Sequence, residues 1–472
     1  MKFETLGNNK KILLGTVIVF VVILTLIIST SLAKYKVTES IKIVSGTINY
    51  SPGDIIITAY LNNVKMATIP NKNDNYVIEN ITCDKSASAT WDNDIWGIKV
   101  SNLTKKGTKC DLYFVEYTMT ASDIILANKT IKTRTNFNVT VTDETTGVIY
   151  QASDEDGPSY YFAGAPKDNY VKFGKWASNT PDVYYGYNDY GMNEFSSLSE
   201  CDKSYTNCTL NSRAGKDMYW RIIRINGDGT IRLIYDGTIA HENGIKDGDR
   251  SIQRSSFNSN LDSNEYVGYM YTMGNNHGSE SSSIIKGVLD TWYTNNLSSY
   301  SNYIDRSAGF CNDRSAYTNS SGTTSGGGTG TTETYYGALV RLETNKSPIL
   351  TCPNSLDLFT TTTSNKGNKK LTNPIGLITA DEVSFAGGLN SNSSITNKNY
   401  YLYVGYTYNT ISPARGTGAI IWSIDYEGKL INSYLVFTSQ SYSVRPVINL
   451  RADVKLSGSG TSGSPYIVIG AN

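Results

Sequence analysis

Residues Asp217–Gly237, DMYWRIIRINGDGTIRLIYDG, hold two apolar runs on either side of a Gly/Asp-rich turn, which predicts a β-hairpin near the middle of the chain. Its strands are expected over Tyr219–Asn226 and Thr230–Asp236. A loop at Asn226-Gly227 sets Arg221 opposite Arg232, a repulsive cross-strand pair. A loop at Asp228-Gly229 sets Ile223 opposite Ile234, Ile222 opposite Tyr235 and Arg221 opposite Asp236, and is expected for that reason. Apolar side chains fall on both faces, so both should be covered by other elements. A covered hairpin is core and carries no chemistry of its own.

The hairpin sits in a chain of 472 residues, too long for one ordinary core, so two or three domains are expected. Forty-two basic residues balance 42 acidic ones, and charged residues are only 18%. That balance excludes a nucleic-acid binder, which needs a basic surface. The 35 tyrosines and 41 glycines, with abundant Ser, Thr and Asn, favour short strands and long loops. The expected class is α+β and β-rich.

The first segment, residues 1–11, is polar and ends in Lys10-Lys11. Ile12–Ala33 follows without a charge and is long enough to span a bilayer. The preceding lysines orient it with a cytoplasmic N-terminus and an extracellular body. A single-pass signal-anchor helix is expected, because signal-peptide cores are usually shorter. Ser31-Leu32-Ala33 also fits a cleavage site, so secretion after cut at Ala33 is the alternative. The six cysteines fall into three sequence-local pairs. In an exported chain they are expected to form disulfides Cys83–Cys110, Cys201–Cys208 and Cys311–Cys352. There is no C-x-x-C spacing and only two histidines, so no metal site of the zinc type is expected.

Residues 36–117 show strand-like runs, including Ile41–Tyr50, Ile55–Leu61, Tyr76–Ile81, Trp96–Val100 and Asp111–Tyr117, divided by turn residues; this spacing predicts a small β-sandwich. Trp91–Trp96 reads as core tryptophan beside a turn. Residues 118–146 form a connector, with helical spacing over Ala121–Thr133 and a short strand over Asn136–Thr142. A large domain covers 147–469, with an insertion at 174–216 stapled by Cys201 and Cys208. Ser283–Leu297 is the strongest helix, with Ile285, Val288, Leu289, Trp292 and Tyr293 on one stripe. Residues 319–334 are low complexity and expected to be mobile. A second helix starts at the capping box Thr379-Ala380-Asp381-Glu382 and stops at Gly387-Gly388.

The pieces YWRIIRINGDGTIRLIYDG, SIIKGVLDTWY, LITADEV, SVRPVINL and a closing PYIV make residues from about Tyr160 to Ile469 resemble an uncharacterised domain common in exported proteins of Gram-positive gut bacteria. That domain is in turn similar to the C-type-lectin and formylglycine-generating-enzyme superfold. The resemblance implies a C-type-lectin-like domain, with two helices flanking irregular antiparallel sheets and long loops carrying any binding site. It carries no assigned activity. The Glu-Pro-Asn and Trp-Asn-Asp motifs of calcium-dependent lectins are absent from this region, and the paired active-site cysteines of the sulfatase-modifying enzymes have no counterpart.

Candidate chemistry is sparse. His241 and His277 lie in polar, turn-like contexts, and no serine has a G-x-S-x-G elbow. Asp154, Glu155, Asp156, Asp236 and Glu382 are the carboxylates available to a glycosidase-type pair, but nothing local brings two together. Asp247-Gly248-Asp249 and Asp154–Asp156 have calcium-ligand chemistry without completing an EF-hand. No catalytic residue and no cofactor is expected, with calcium left open. The expected function is non-catalytic, adhesin-like recognition of an extracellular glycan, cell-wall component or protein by a membrane-anchored surface protein. A cell-envelope scaffold is the alternative, followed by a carboxylate-based hydrolase. The binding residues expected are Tyr184, Tyr185, Tyr187, Tyr400, Tyr401, Tyr403, Tyr406 and Tyr408, whose rings supply apolar area with hydroxyl donors and no charge.

Overall fold

The computed structural model describes residues 55–471 apart from 72–75, 93–95, 102–106, 117–118, 142–143, 189–190, 318–325, 390–397, 417 and 437–440. The expected membrane segment Ile12–Ala33 and the strand Ile41–Tyr50 lie outside the described residues. Among those described, no helix is long and apolar enough to cross a membrane. The chain divides into two compact units, one up to Thr118 and one from Met119.

In the first unit Thr108–Glu116 alternates strictly, so Cys110, Leu112 and Phe114 all face inward. This strand runs parallel to Ile55–Leu61 and antiparallel to Tyr76–Cys83 in a four-stranded sheet. A hairpin, Ser88–Asp92 with Gly97–Ser101, forms a second layer. Trp91 meets Phe114 edge-on at 5.3 Å, and the Trp96 indole N–H donates to the Pro70 carbonyl at 2.8 Å, so both tryptophans are used in packing. Cys83 and Cys110 are direct cross-strand partners and form a disulfide. The unit is β-rich and disulfide-clipped, which fits the expected small β-sandwich.

The second unit is organised on the central hairpin, Asp217–Ile225 with Ile231–Gly237. Its second strand is buried along its whole length, as expected for a hairpin covered on both faces. The register differs from the expected one. Ile222 faces Leu233, Arg221 faces Ile234 and Arg224 faces Arg232, with irregularities at Tyr219/Trp220 and Ile222/Arg224. The turn spans Asn226–Thr230, closed by Asn226 N–H to the Thr230 carbonyl at 2.9 Å, with Gly229 at φ +82°. Charge repulsion does not exclude the arginine pair, because the Glu382 carboxylate lies between its members.

The hairpin's first strand is central in a nine-stranded sheet, flanked by Tyr170–Lys175 and Gly157–Tyr161; its second strand continues to Val447–Leu450. A five-stranded sheet is built mainly from the last third of the chain, around Tyr408–Pro413 and Ile420–Ile424. The long helix spans Ile284–Asn296, capped by Ser283, and its Trp292 packs edge-to-face with Trp176, Trp220 and Tyr235. The helix Ala380–Ala386 has the full Thr379/Glu382 capping box and ends at Gly387 with φ +109°. A short helix at Gly337–Leu339 runs into a π-helical turn, Val340–Asn345.

Three segments differ from expectation. Residues 121–133 are not one helix: Ala121–Leu126 is helical with Thr120 as its cap, and Thr130–Thr133 is a strand parallel to Val148–Asp154. Ala121 and Ile125 enter the large core, so the expected connector is an integral part of the second unit. Residues 136–141 form no strand, and Phe137 packs on Phe385. Of the low-complexity segment, the described residues 326–334 are fastened: Gly330 N–H donates to Glu265 at 3.1 Å, and the Asn264 amide donates to Thr334 Oγ1 at 3.0 Å. The insertion is a separate three-stranded sheet, Gly191–Phe195, Val183–Asn188 and Cys208–Asn211, clipped by Cys201–Cys208, and Cys311–Cys352 closes the third bridge.

Candidate functional site

The tyrosines do not form a surface platform. Tyr400, Tyr401, Tyr406 and Tyr408 are at most 1% exposed and Tyr403 is 7% exposed. The cause is the arginine set beneath them. Arg250 donates to the carbonyls of Tyr401 at 3.2 Å and Tyr403 at 3.0 Å, and Arg445 donates to that of Leu402 at 3.1 Å. Both arginines, with Arg221, converge on the fully buried Asp236. Positive charge taken out of water must be met by carbonyls and carboxylates, and this pulls the 400–408 segment inside. Tyr185 is buried against Arg213, and the Tyr187 hydroxyl accepts the Gly248 N–H at 2.7 Å. Burial pushes the Tyr187 phenol up to about 12. Tyr184 is half-buried in the insertion sheet, in register between Phe195 and Leu210.

The histidines are also occupied. His241 is buried 3.4 Å from Asp249, which further accepts from the Thr238 backbone N–H and hydroxyl. His277 Nδ1 is 2.9 Å from Asp357, itself held by Arg314. Asp236 is sealed under its arginines. Asp247 serves as the cap of the turn Gly248–Arg250. Among the described residues no group of three or more His, Cys, Asp or Glu side chains is placed to hold a metal ion.

The remaining carboxylates meet in one cleft. Asp154 comes from the end of Val148–Asp154, Glu155 and Asp156 from the turn after it, and Glu382 from the capping box. The hairpin contributes Arg224, Asn226, Asp228 and Arg232. Asp313, Asp381 and Arg341 complete the polar wall; Asp381 stands in the capping-box segment, while nothing marks Asp313 or Arg341 in the sequence. Ala308, Leu350 and the Cys311 end of a disulfide supply apolar surface. The free volume is about 50 Å³, room for a few water molecules or one small polar group.

Most of the cleft's charges are bound to one another. Asp154 Oδ2 accepts from Arg224 at 2.6 Å and from the Gly227 N–H at 2.9 Å. Glu382 Oε1 is 3.0 Å from Arg224 Nε and 2.6 Å from Arg232 Nε, and Oε2 accepts the Thr379 N–H at 3.0 Å. Burial opposes this carboxylate's charge, but Arg232 and Arg224 hold it below the usual carboxylate range. Asp381 takes two bonds from Arg341, at 3.0 and 2.9 Å, and one from the Ile349 N–H at 3.0 Å. Lys366 bridges Asp156 and Asp228. Asp313 differs. Its Oδ2 lies 2.8 Å from Arg341 and the Ser315 side chain also reaches the carboxylate, yet neither oxygen has a well-formed hydrogen bond. Burial pushes the Asp313 carboxyl above its ordinary value, with Arg341 offsetting part of the rise.

Comparison with protein-family models, with curated proteins and with solved structures returns no match.

Proposed function

We propose that this is a membrane-anchored extracellular surface protein whose second unit recognises a ligand without transforming it, and that recognition centres on the charged cleft. The disulfides indicate an oxidising, extracellular environment. One observation carries the non-catalytic reading. The cleft carboxylates Asp154, Asp381 and Glu382 are saturated by arginine and backbone donors, and Asp313 alone among these four lacks a well-formed hydrogen bond. Glycoside hydrolysis needs two carboxylates with separate duties, and groups locked in ion pairs act as a preorganised wall. The lectin-like resemblance, which carries no assigned activity, is compatible with a binding role, and the cleft moves the proposed site from tyrosines to carboxylates.

The test is binding of oxidised Lys34–Asn472 to an array of glycans, cell-wall fragments and surface proteins, with calcium and then with chelator. Saturable binding that is weakened by Asp313→Asn and kept by Tyr401→Phe is the expected result. Silence from folded protein across the array overturns the recognition reading.

A further inference from the structure

We infer that the cleft takes a primary ammonium group; this rests on the recognition reading and names the chemistry of its ligand. Two buried acceptors lining the cleft, Asp313 Oδ1 and Asn226 Oδ1, receive no well-formed hydrogen bond. Asn226 is 7% exposed and Asp313 3%, so bulk water does not satisfy them freely. An orphaned buried acceptor carries its full desolvation cost until a donor arrives. The Asn226 amide group is already directed elsewhere, to Thr230 at 2.7 Å and Asn449 at 3.0 Å, which leaves its oxygen as the free end.

The charge balance selects the donor. Seven carboxylates and four basic side chains line the cleft, an excess of three negative charges. Arg224, Arg232, Arg341 and Lys366 are all engaged with those carboxylates, so an anion entering would meet unpaired oxygen and spent donors. An ammonium supplies three donors and no acceptor. It is compact enough for about 50 Å³, where a planar guanidinium demands a wider fork. A divalent ion requires several converging oxygens, and among the described residues no group of three or more His, Cys, Asp or Glu side chains is placed to hold one. Leu350 and Ala308, both mostly buried, give the carbon stem behind the ammonium an apolar wall. A lysine side chain and an amino sugar share this head group.

The experiment is calorimetric titration of the full chain with Nα-acetyl-lysine amide and with glucosamine, each against its N-acetylated, uncharged counterpart. The expected result is millimolar or tighter binding of at least one amine, lost on acetylation, and weakened at least roughly tenfold by Asp313→Asn. Which of the two amines binds separates a peptide source from a sugar source. Equal behaviour of amine and acetylated probe on the wild-type chain overturns the inference, whether or not the variant folds. Array binding with both amines silent overturns the ammonium while recognition stands. Amine binding with a silent array upholds the site and removes the macromolecular ligand.

Discussion

Glu382→Gln isolates the charge that holds the cleft and the hairpin together. The buried Glu382 carboxylate lies 3.0 Å from Arg224 Nε and 2.6 Å from Arg232 Nε. Glutamine keeps the volume and an oxygen, so the packing change is small and the Thr379 N–H retains an acceptor. The capping share of the loss is therefore no more than about 1 kcal/mol. What disappears is the negative charge between two arginines placed directly opposite each other. Arg224 still has Asp154 at 2.6 Å. Arg232 is left with the Gly309 carbonyl at 3.1 Å and the face of Phe310. A buried ion stripped of its partner costs about 3–5 kcal/mol, and that is the expected destabilisation. The assay is guanidinium unfolding of oxidised protein, followed by tryptophan fluorescence and compared at constant m-value. Arg232→Met in the Glu382→Gln background should recover more than half of the loss, because the unpaired charge is gone. A cost for Glu382→Gln below about 1 kcal/mol, or no recovery in the double variant, would refute the neutralising role of Glu382.

Other outcomes follow from the same accounting. Burial opposes ionisation of Asp249, but His241, Arg213 and the Thr238 N–H hold its pKa at about 2 against an ordinary 3.8. A depressed carboxyl pKa stabilises the fold above the unfolded value, so on the order of 2 kcal/mol should be lost as pH falls from 3.8 towards 2, and Asp249→Asn should flatten that part of a stability–pH curve. Disulfide separations of 41 and 7 residues predict that replacing Cys311–Cys352 with serines costs about 4 kcal/mol, against about 2.5 kcal/mol for Cys201–Cys208, measured as the shift in unfolding midpoint. The hydroxyls of Tyr400 and Tyr401 are buried without a partner, so Phe at either position should be neutral or stabilise by up to about 1 kcal/mol. Tyr408→Phe should cost about 1 kcal/mol, since its hydroxyl donates to the Leu402 carbonyl at 2.8 Å.

The elements that could be read from sequence are those whose causes are local. The Ile284–Asn296 helix follows from a stripe and a Ser cap, the Ala380–Ala386 helix from a capping box and a glycine stop, and the disulfides from three short-range cysteine pairs. The hairpin's existence is local too, but its register is not. Its strand irregularities and the Asn226–Thr230 turn shift the pairing, and the like-charged pair this creates is stabilised by a residue about 150 positions away. The tyrosines fail as a surface for a related reason. Composition cannot say which side of a loop faces water, and here Arg250 and Arg445 bind the loop's own carbonyls from below.

The cleft was half visible. Asp154, Glu155, Asp156 and Glu382 can be named as carboxylates, yet a turn or a capping box accounts for each locally. Glu382 shows why that reading is incomplete. A capping-box glutamate normally keeps one oxygen in water, and the motif is satisfied once the N-cap N–H is bonded. This one is 3% exposed, so its second oxygen must be neutralised inside the protein. Arg224 and Arg232 do so only because the hairpin register sets them side by side. The cap, the register and the cleft wall are therefore one arrangement, in which the motif supplies the charge and the fold decides what meets it. Asp313 is the exception to this mutual saturation, and a buried carboxylate oxygen left without a well-formed hydrogen bond is where a ligand has something to gain by entering.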